Sequence, residues 1–401
     1  MDNVILQFLI TRWWILLIAI AAVIMLIKLV PRYKIAPPDT ALIISGLMRR
    51  NYKVRNADGS VTNLLGVSID KHFMPSVANV IGTDLTKYKV VRRNRFACSL
   101  MQVSRDHKMP ISRYDEDIPS IISPAYVMFE LTSDDVLPEY LELWTQRAEF
   151  DREADFYAVG GVRGNMTWDE LQGMSLVVPP IEEQRAIVAR HRAIDSRINA
   201  LRQLNDKLAA WRKHVFEHQF GQYKAGCLEG KSINGWSRVQ LGNLADFTYG
   251  KMVPASKRTE RGVPVYSGYG ITGYCKEAMF TESQLIVVAR GVSGTGNVRI
   301  TPEKCYLTNL SIAVLLYDRT DMGYLFEYLS GDNLISLDSG SAQSMITIGD
   351  LSARHIALPP KEQVKKFNEI FQPIKRMMDA NESEIEILAR AKSAYVTALG
   401  R

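Results

Sequence analysis

The stretch Val177-Val178-Pro179-Pro180-Ile181-Glu182-Glu183-Gln184 returns later in the chain as Ala357-Leu358-Pro359-Pro360-Lys361-Glu362-Gln363. Each copy follows a Gly-x-x-x-x-Met pattern, Gly161 to Met166 and Gly340 to Met345, and precedes a long stretch with helical hydrophobic spacing. The repeating unit is therefore a whole module with its helix, present twice in tandem. A short apolar run ending at Pro-Pro is extended, because the residue before a proline is pushed out of the α region. The second proline suits the first turn of a helix. Glu182, Glu183 and Glu362 then lie where the positive end of the helix dipole favours carboxylates. These residues read as a strand-to-helix junction with no chemistry of their own.

After the first junction Ile187, Ile194, Leu201, Leu208 and Val215 recur at seven-residue intervals, with Ile198, Leu204 and Trp211 widening the stripe. After the second, Val364, Phe367, Phe371, Ile374, Met378, Ile385, Leu388 and Tyr395 follow in helical spacing. Both patterns spell long amphipathic helices suited to pair as an antiparallel coiled coil. Asn205 and Asn381 interrupt the apolar seams, either as register-fixing residues or as tolerated polar positions. Pro373 should kink the second helix, since it removes a backbone donor and crowds the preceding turn. A helix of about 40 residues is roughly 60 Å long. Two modules held on such a pair can reach major grooves one turn of DNA apart, ~34–36 Å.

Lys plus Arg number 49 against 43 acidic residues, for a net charge of +6. That balance is compatible with phosphate binding but does not single it out. The 401 residues allow two to three domains with their own cores. Cys98, Cys227, Cys275 and Cys305 are dispersed, without Cys-x-x-Cys or a nearby His pair, so neither a zinc site nor a disulfide framework is indicated. Gly291 to Thr295 fails the Gly-x-Ser-x-Gly elbow at its last place, Gly294 to Arg299 fails the dinucleotide fingerprint, and Gly226 to Ser232 is one residue short of a P-loop. No catalytic residue, metal or cofactor is expected.

The modules before each helix read as α/β (α+β) domains rich in short strands. In the second, Trp236 to Gly242 opens the domain, Val263 to Gly270 follows, and Leu285 to Val298 is a buried strand running into a Gly-rich turn. The matching region of the first runs from Tyr88 to Cys98 and on through Arg105-Asp106-His107-Lys108. Tyrosines and cations interleaved with glycine turns suit close approach to phosphates and base edges, although solvated hairpin turns look the same. The candidate contacts are Arg92, Arg93, Arg95, Arg105 and Lys108 in the first module and Lys251, Lys257, Arg258, Tyr266, Tyr269, Arg290, Ser293 and Arg299 in the second.

From about Val54 onward the chain resembles the specificity subunit of type I restriction-modification systems. The resemblance is carried by the two Pro-Pro junctions with their helices, by Trp236 to Gly242, by the Arg290-Gly291 turn and by Asn63 to Ser76. It implies a non-catalytic protein with two target recognition domains, each reading one half of a bipartite asymmetric sequence in double-stranded DNA. The expected boundaries are 54–178 and 236–358 for these domains and 179–222 and 359–399 for the helical spacers. Implied partners are methyltransferase subunits and a restriction subunit, docked on the helices along Ile187, Ile194, Leu201, Leu208, Phe367, Phe371, Ile374, Met378 and Ile385.

Residues 1–50 fit this picture poorly. Trp13 to Val30 is an apolar run broken only by Lys28, long enough to span a bilayer. Lys28, Arg32 and Lys34 outnumber the single Arg12 before it, which orients the larger part of the chain toward the cytoplasm, tethered to the inner membrane by a single-pass helix. Tyr33 to Asp39 and Ala41 to Gly46 resemble the juxtamembrane start of flotillin-like proteins, with a seam near Asn51 to Val61. A membrane-anchored coiled-coil scaffold is accordingly the rival reading; matched globular modules favour the DNA reader, since a scaffold needs heptads but no such domains.

Overall fold

The computed structural model describes residues 41–43, 47–50, 54–78, 82–101, 103–158, 164–223, 228, 233–268, 270–291, 294–337 and 345–399. These form two compact units divided at Asn199/Ala200 and at Glu384/Ile385, so each long helix contributes to both. The apolar run 13–30 lies outside the described residues, as do Cys227, Gly161 and Gly340. Among the described residues no helix is long and apolar enough to cross a membrane.

Among the described residues the first unit contains ten strands: β1 (Ala41–Ile43), β2 (Met48–Arg50), β3 (Leu64–Val67), β4 (Phe73–Pro75), β5 (Lys89–Val91), β6 (Phe96–Cys98), β7 (Ile111–Arg113), β8 (Ser120–Ile122), β9 (Val127–Leu131) and β10 (Ser175–Val177). Its helices are α1 (Val103–Asp106), α2 (Pro138–Thr145), α3 (Ala148–Ala158) and α4 (Trp168–Gly173), followed by the long α5 (Ile181–Phe220). β1 pairs with β10, one sheet runs β2-β9-β6-β7, and another runs β4-β3-β8-β5 with β3 and β8 parallel. Side chains alternate across the short strands. Phe96, Cys98, Val127 and Phe129 face a core with Tyr140, Trp144, Phe150, Ile187, Val188, Tyr395 and Leu399, while Ala97 and Met128 face a smaller cluster with Val67, Val91 and Ile122.

The second unit repeats this plan with β11 (Ser237–Gln240), β12 (Ala245–Tyr249), β13 (Arg258–Thr259), β14 (Val263–Ser267), β15 (Gly270–Cys275), β16 (Leu285–Val288), β17 (Val298–Ile300), β18 (Tyr306–Leu307), β19 (Ser311–Leu316) and β20 (His355–Leu358). α6 (Met322–Ser330), α7 (Ile348–Ala353) and α8 (Lys361–Thr397) complete it. β11 pairs with β20, β12-β19-β16-β17 matches β2-β9-β6-β7, and β15-β14-β18 matches β4-β3-β8 down to the single parallel pair. The copies differ at an edge, where the first adds β5 beside β8 and the second adds β13 beside β15.

The strand pairing crosses the boundary expected at residue 50. β1 is antiparallel to β10 with Ala41 opposite Val177, as β11 is to β20 with Ser237 opposite Leu358, and β2 extends the sheet beside β9. Ala41–Ile43, read above as leader, thus supplies backbone partners for the strand that enters the Pro-Pro junction, and Met48–Arg50 supplies them for β9. The flotillin-like motif overlaps β1, and the pairing of both strands is with the first module.

Both long helices form, and α8 continues through Pro373. In the second unit Phe216 and Phe220 of α5 pack on Phe367 of α8, while Asn205 lies beside Met378 and Asn381, so the pairing is antiparallel. In the first unit Asp195 bonds Lys392, and Ile187 shares a core with Tyr395 and Leu399, in the same sense. The seam of α5 departs from the expected one. His191, Ile198, Asn205 and Arg212 are buried, whereas Leu204 and Trp211 are 40% and 52% exposed. The physical reason is that the polar residues in the seam have partners. Asn381 Nδ2 donates to Asn205 Oδ1 at 2.7 Å, and Arg212 pairs with Glu327 of α6.

Candidate nucleic-acid interface

The junction residues hold each module to its helix, by different means in the two copies. Gln184 is fully buried; its Nε2 donates to the Asp135 and Pro179 carbonyls at 2.7 and 2.8 Å, and its Oε1 accepts from Leu137 N at 2.8 Å. That satisfies an otherwise open amide at the start of α2, where no side chain caps. In the second copy Val364 occupies the corresponding buried position, since Gln184 N and Val364 N both bond the carbonyl of the second proline. Lys361 does the holding there, with Nζ 2.6 Å from Asp318 and 2.7 Å from buried Asp321 ahead of α6. The two Gln residues of the repeated motif are therefore not equivalent.

In the second module four loops converge. Gly250, after β12, donates to the Ser311 carbonyl at 3.0 Å, and Lys251 N donates to Leu307 O at 2.9 Å. A Cβ on Gly250 would meet Thr308 O at 2.1 Å, so the backbones approach as only glycine allows. Gly268, in the β14–β15 turn, lies on the end of β16, where a Cβ would meet Val288 Cγ2 at 2.3 Å. Thr308 N donates to Tyr266 O, and Arg290 Nη2 donates to Asn309 O at 3.3 Å. The structure thus gathers Lys251, the β14–β15 turn and Arg290 around segment 307–310.

Other candidates lie elsewhere on this module. Lys257 and Arg258 belong to the edge strand β13 and its approach. Lys257 bonds Glu277 at 2.7 Å, and that contact raises its pKa. Arg299, on β17, is exposed and pairs across to Ile286. Burial pushes the Tyr266 hydroxyl up from its ordinary pKa, with the Arg299 guanidinium opposing. Tyr269 and Ser293 lie outside the described residues. Among the described residues, Lys251 and Arg258 are exposed cations without a carboxylate partner.

In the first module β6 separates the candidates into two groups. Arg92, Arg93 and Arg95 precede the strand, and Arg105 and Lys108 lie in the loop after it, the counterpart of the loop that carries Arg290. Arg93 pairs with Asp117 at 2.9 Å and Arg95 with Glu130 at 3.5 Å, so two of that turn's three arginines are neutralised locally. Arg105 bonds its neighbour Asp106 at 2.7 Å, and Lys108 approaches Asp70 of the β3–β4 turn at 3.5 Å. As in the second module, the loops after β3 and β6 meet. Among the described residues no group of His, Cys, Asp or Glu is arranged to hold a metal ion.

Of the helix positions expected to dock subunits, Ile187, Leu201, Phe367, Phe371, Ile374 and Ile385 are buried, and Ile194, Leu208 and Met378 are half-buried. The buried ones are spent on intrachain packing and offer no surface to a partner. Exposed apolar side chains on the helices are Leu204, Trp211, Met377 and Ile387. Sequence periodicity put Leu204 and Trp211 on the inner face, which Asn205 and Arg212 had taken, and did not single out Met377 and Ile387.

Comparison with known proteins identifies one domain. Residues 233–389 match the type I restriction modification DNA specificity domain. The chain carries that domain. It spans β11 to most of α8, the second module with its helix. A protein from Methanocaldococcus jannaschii, described as the specificity subunit of the type I restriction enzyme MjaX, is 26% identical over 254 residues, 57% of this chain and 59% of that one. The specificity subunit of the type I restriction enzyme EcoprrI from Escherichia coli is 26% identical over 155 residues, covering 37% of each chain. The matched part thus spans about three-fifths of the first relative's length and less of the second's. The crystal structure of a type I restriction-modification S subunit from M. genitalium superposes with a TM-score of 0.55 at 15% identity, covering 90% of this chain and 95% of that one. That likeness extends the specificity-subunit fold beyond the matched domain to the first module. The resemblance read from the sequence is shown, and the flotillin-like start is not among these matches.

Proposed function

We propose that the chain is the non-catalytic specificity subunit of a type I restriction-modification complex, reading a bipartite, asymmetric double-stranded DNA target with one half-site per module. The observation that carries this is the repeated sheet order: the module containing the specificity domain has a counterpart in β1–β10 that differs at one edge strand, joined to the same pair of helices. In this reading Lys251, Arg290 and the β14–β15 turn in one module, and Arg105, Lys108 and the β3–β4 turn in the other, face the DNA. Arg92, Arg93, Arg95, Lys257, Arg258, Tyr266 and Arg299 form an outer set that meets phosphates. Methyltransferase and restriction subunits dock on the helices through their exposed side chains, Leu204, Trp211, Met377 and Ile387, while the buried seam fixes the spacing. The protein acts in the cytoplasm, with residues 13–30 as an inner-membrane tether supported by their apolar sequence alone. A scaffold without DNA recognition is disfavoured, because it leaves the duplicated modules unexplained.

The test is DNA binding by the full chain assembled with methyltransferase subunits. Affinity for a cognate duplex should fall steeply with salt as phosphate contacts release counterions, and protection should fall on two short tracts with an unread spacer. Equal affinity for all duplexes with no salt slope would refute the proposal.

A further inference from the structure

The first module holds its loops with a charged node that has no counterpart among the described residues of the second. Lys71, in the β3–β4 turn, has a left-handed backbone, φ 64°, unusual for a residue with a Cβ. Its side chain is only 6% exposed. The ammonium donates to Asp151 Oδ1 of α3 at 2.7 Å and to the Thr145 carbonyl at the end of α2 at 2.5 Å, and it lies 4.7 Å from the centre of the Phe150 ring. The same Asp151 Oδ1 accepts from Met109 N at 3.1 Å, in the loop between β6 and β7. One carboxylate thus ties down two loops that meet at Asp70 and Lys108. The turn itself is closed by Ser68 N donating to His72 O at 2.9 Å and by a Ser68–His72 side-chain bond at 2.9 Å.

A buried lysine with a strained backbone costs stability, since the desolvated charge is recovered only through good partners. A turn needing only closure could use glycine there, as the equivalent β14–β15 turn does with Gly268 and Gly270. In the second module the described part of the loop after β16 is held differently: Gly296, φ 87°, sits against Leu334 and Ile335, and Arg290 donates to the Asn309 carbonyl, with no ion pair among these contacts. The costly device appears where two loops, rather than one, must be fixed from a single helix.

We infer that Lys71 and Asp151 are positioning residues for half-site recognition: their buried pair sets the β3–β4 and β6–β7 loops of the first module in the geometry that reads bases, and neither residue touches DNA. This rests on the DNA-reading function proposed above. The experiment uses the full chain with its methyltransferase subunits and two variants. K71M strands a partly buried carboxylate; K71M/D151L removes both charges and retains the fold more readily, because apolar replacement of a buried pair is often tolerated. Competition binding compares cognate duplex with duplexes altered in either half-site, and hydrogen exchange follows loops 68–72 and 103–110. The first module's half-site is the one left unchanged when residues 236–356 are exchanged.

In K71M/D151L the discrimination at the first module's half-site should drop by about tenfold or more. Discrimination at the other half-site and the salt slope should stay as in the wild type, and exchange should accelerate in both loops. Equal loss at both half-sites, undiminished discrimination at the first, or loops as protected as in the wild type would each overturn the inference. A wild-type complex with no preference among duplexes would overturn the DNA-reading function itself, and the node's role with it.

Discussion

Replacing Glu327 by alanine should be among the most damaging single changes in the second unit. Its carboxylate pairs with Arg212, and the side chains are 4% and 10% exposed. The guanidinium lies 4.7 Å from the Phe326 ring and 5.2 Å from the Phe371 ring, with Met378 Sδ 3.7 Å from Nη1. None of these neighbours can replace an anion. E327A therefore strands a buried charge, for which about 3–5 kcal/mol is lost. For a unit of this size that corresponds to a fall in Tm of roughly 6–20 °C. The pair itself gives little net stability, however: burial raises the pKa of Glu327 despite the opposing field of Arg212. A carboxyl with a raised folded pKa contributes most below its unfolded value, and that contribution is lost as pH rises through the folded one. Consequently R212M/E327L should be neutral or more stable than the wild type at pH 7. Differential scanning calorimetry with hydrogen exchange on α6 measures both variants. If E327A cost under about 1 kcal/mol, or the double variant were as damaged as the single one, the buried-pair reasoning would be refuted.

Three further outcomes follow from other contacts. Asp318, bonded to Lys361 and Thr320, is lowered to a pKa of about 2 from 3.8; its stabilisation is present above the higher value and lost as pH falls through the lower, so D318N should cost at most ~1 kcal/mol at pH 7, the pair being half-exposed, and nothing below pH ~2 in acid-unfolding curves. N381L removes the donor to Asn205 Oδ1 and should cost about 1–3 kcal/mol in thermal melts, whereas N205L/N381L should recover stability but permit slipped helix pairing, detectable by cysteine cross-linking between α5 and α8. G268A forces a Cβ onto Val288 and should cost about 1–3 kcal/mol, with loss of recognition at one half-site only in duplex competition.

The Pro-Pro junctions made the duplicated plan legible, because proline chemistry marks a strand end and a helix start without tertiary context. The apolar strand around Val287 and the glycine turns were legible for the same local reasons. The seam of α5 was not: Asn205 and Arg212 are buried through Asn381 and Glu327, partners far away in sequence, so periodicity placed Leu204 and Trp211 inside instead. The strands Ala41–Ile43 and Met48–Arg50 were hidden because they are only three residues each and follow an apolar run that drew the reading toward a membrane leader. Within the candidate interface, the cations could be named from composition and turns. Their division could not, since a three-residue β6 separates Arg92, Arg93 and Arg95 from Arg105 and Lys108. Lys71 lies in the Asn63 to Ser76 stretch that carries the family resemblance, but nothing local marked its pairing with Asp151, in a helix of unremarkable composition.

The most direct measurement of the central claim is the genome-wide map of methylated sites in cells carrying this chain with residues 236–356 exchanged for the same region of another specificity subunit. The wild-type map should show one bipartite motif with an unread spacer. The exchange should replace one half of that motif and leave the other half and the spacer length intact, since the first module and the paired helices are untouched. A motif altered in both halves, or a map that does not change, would contradict the account of two modules each reading its own half-site.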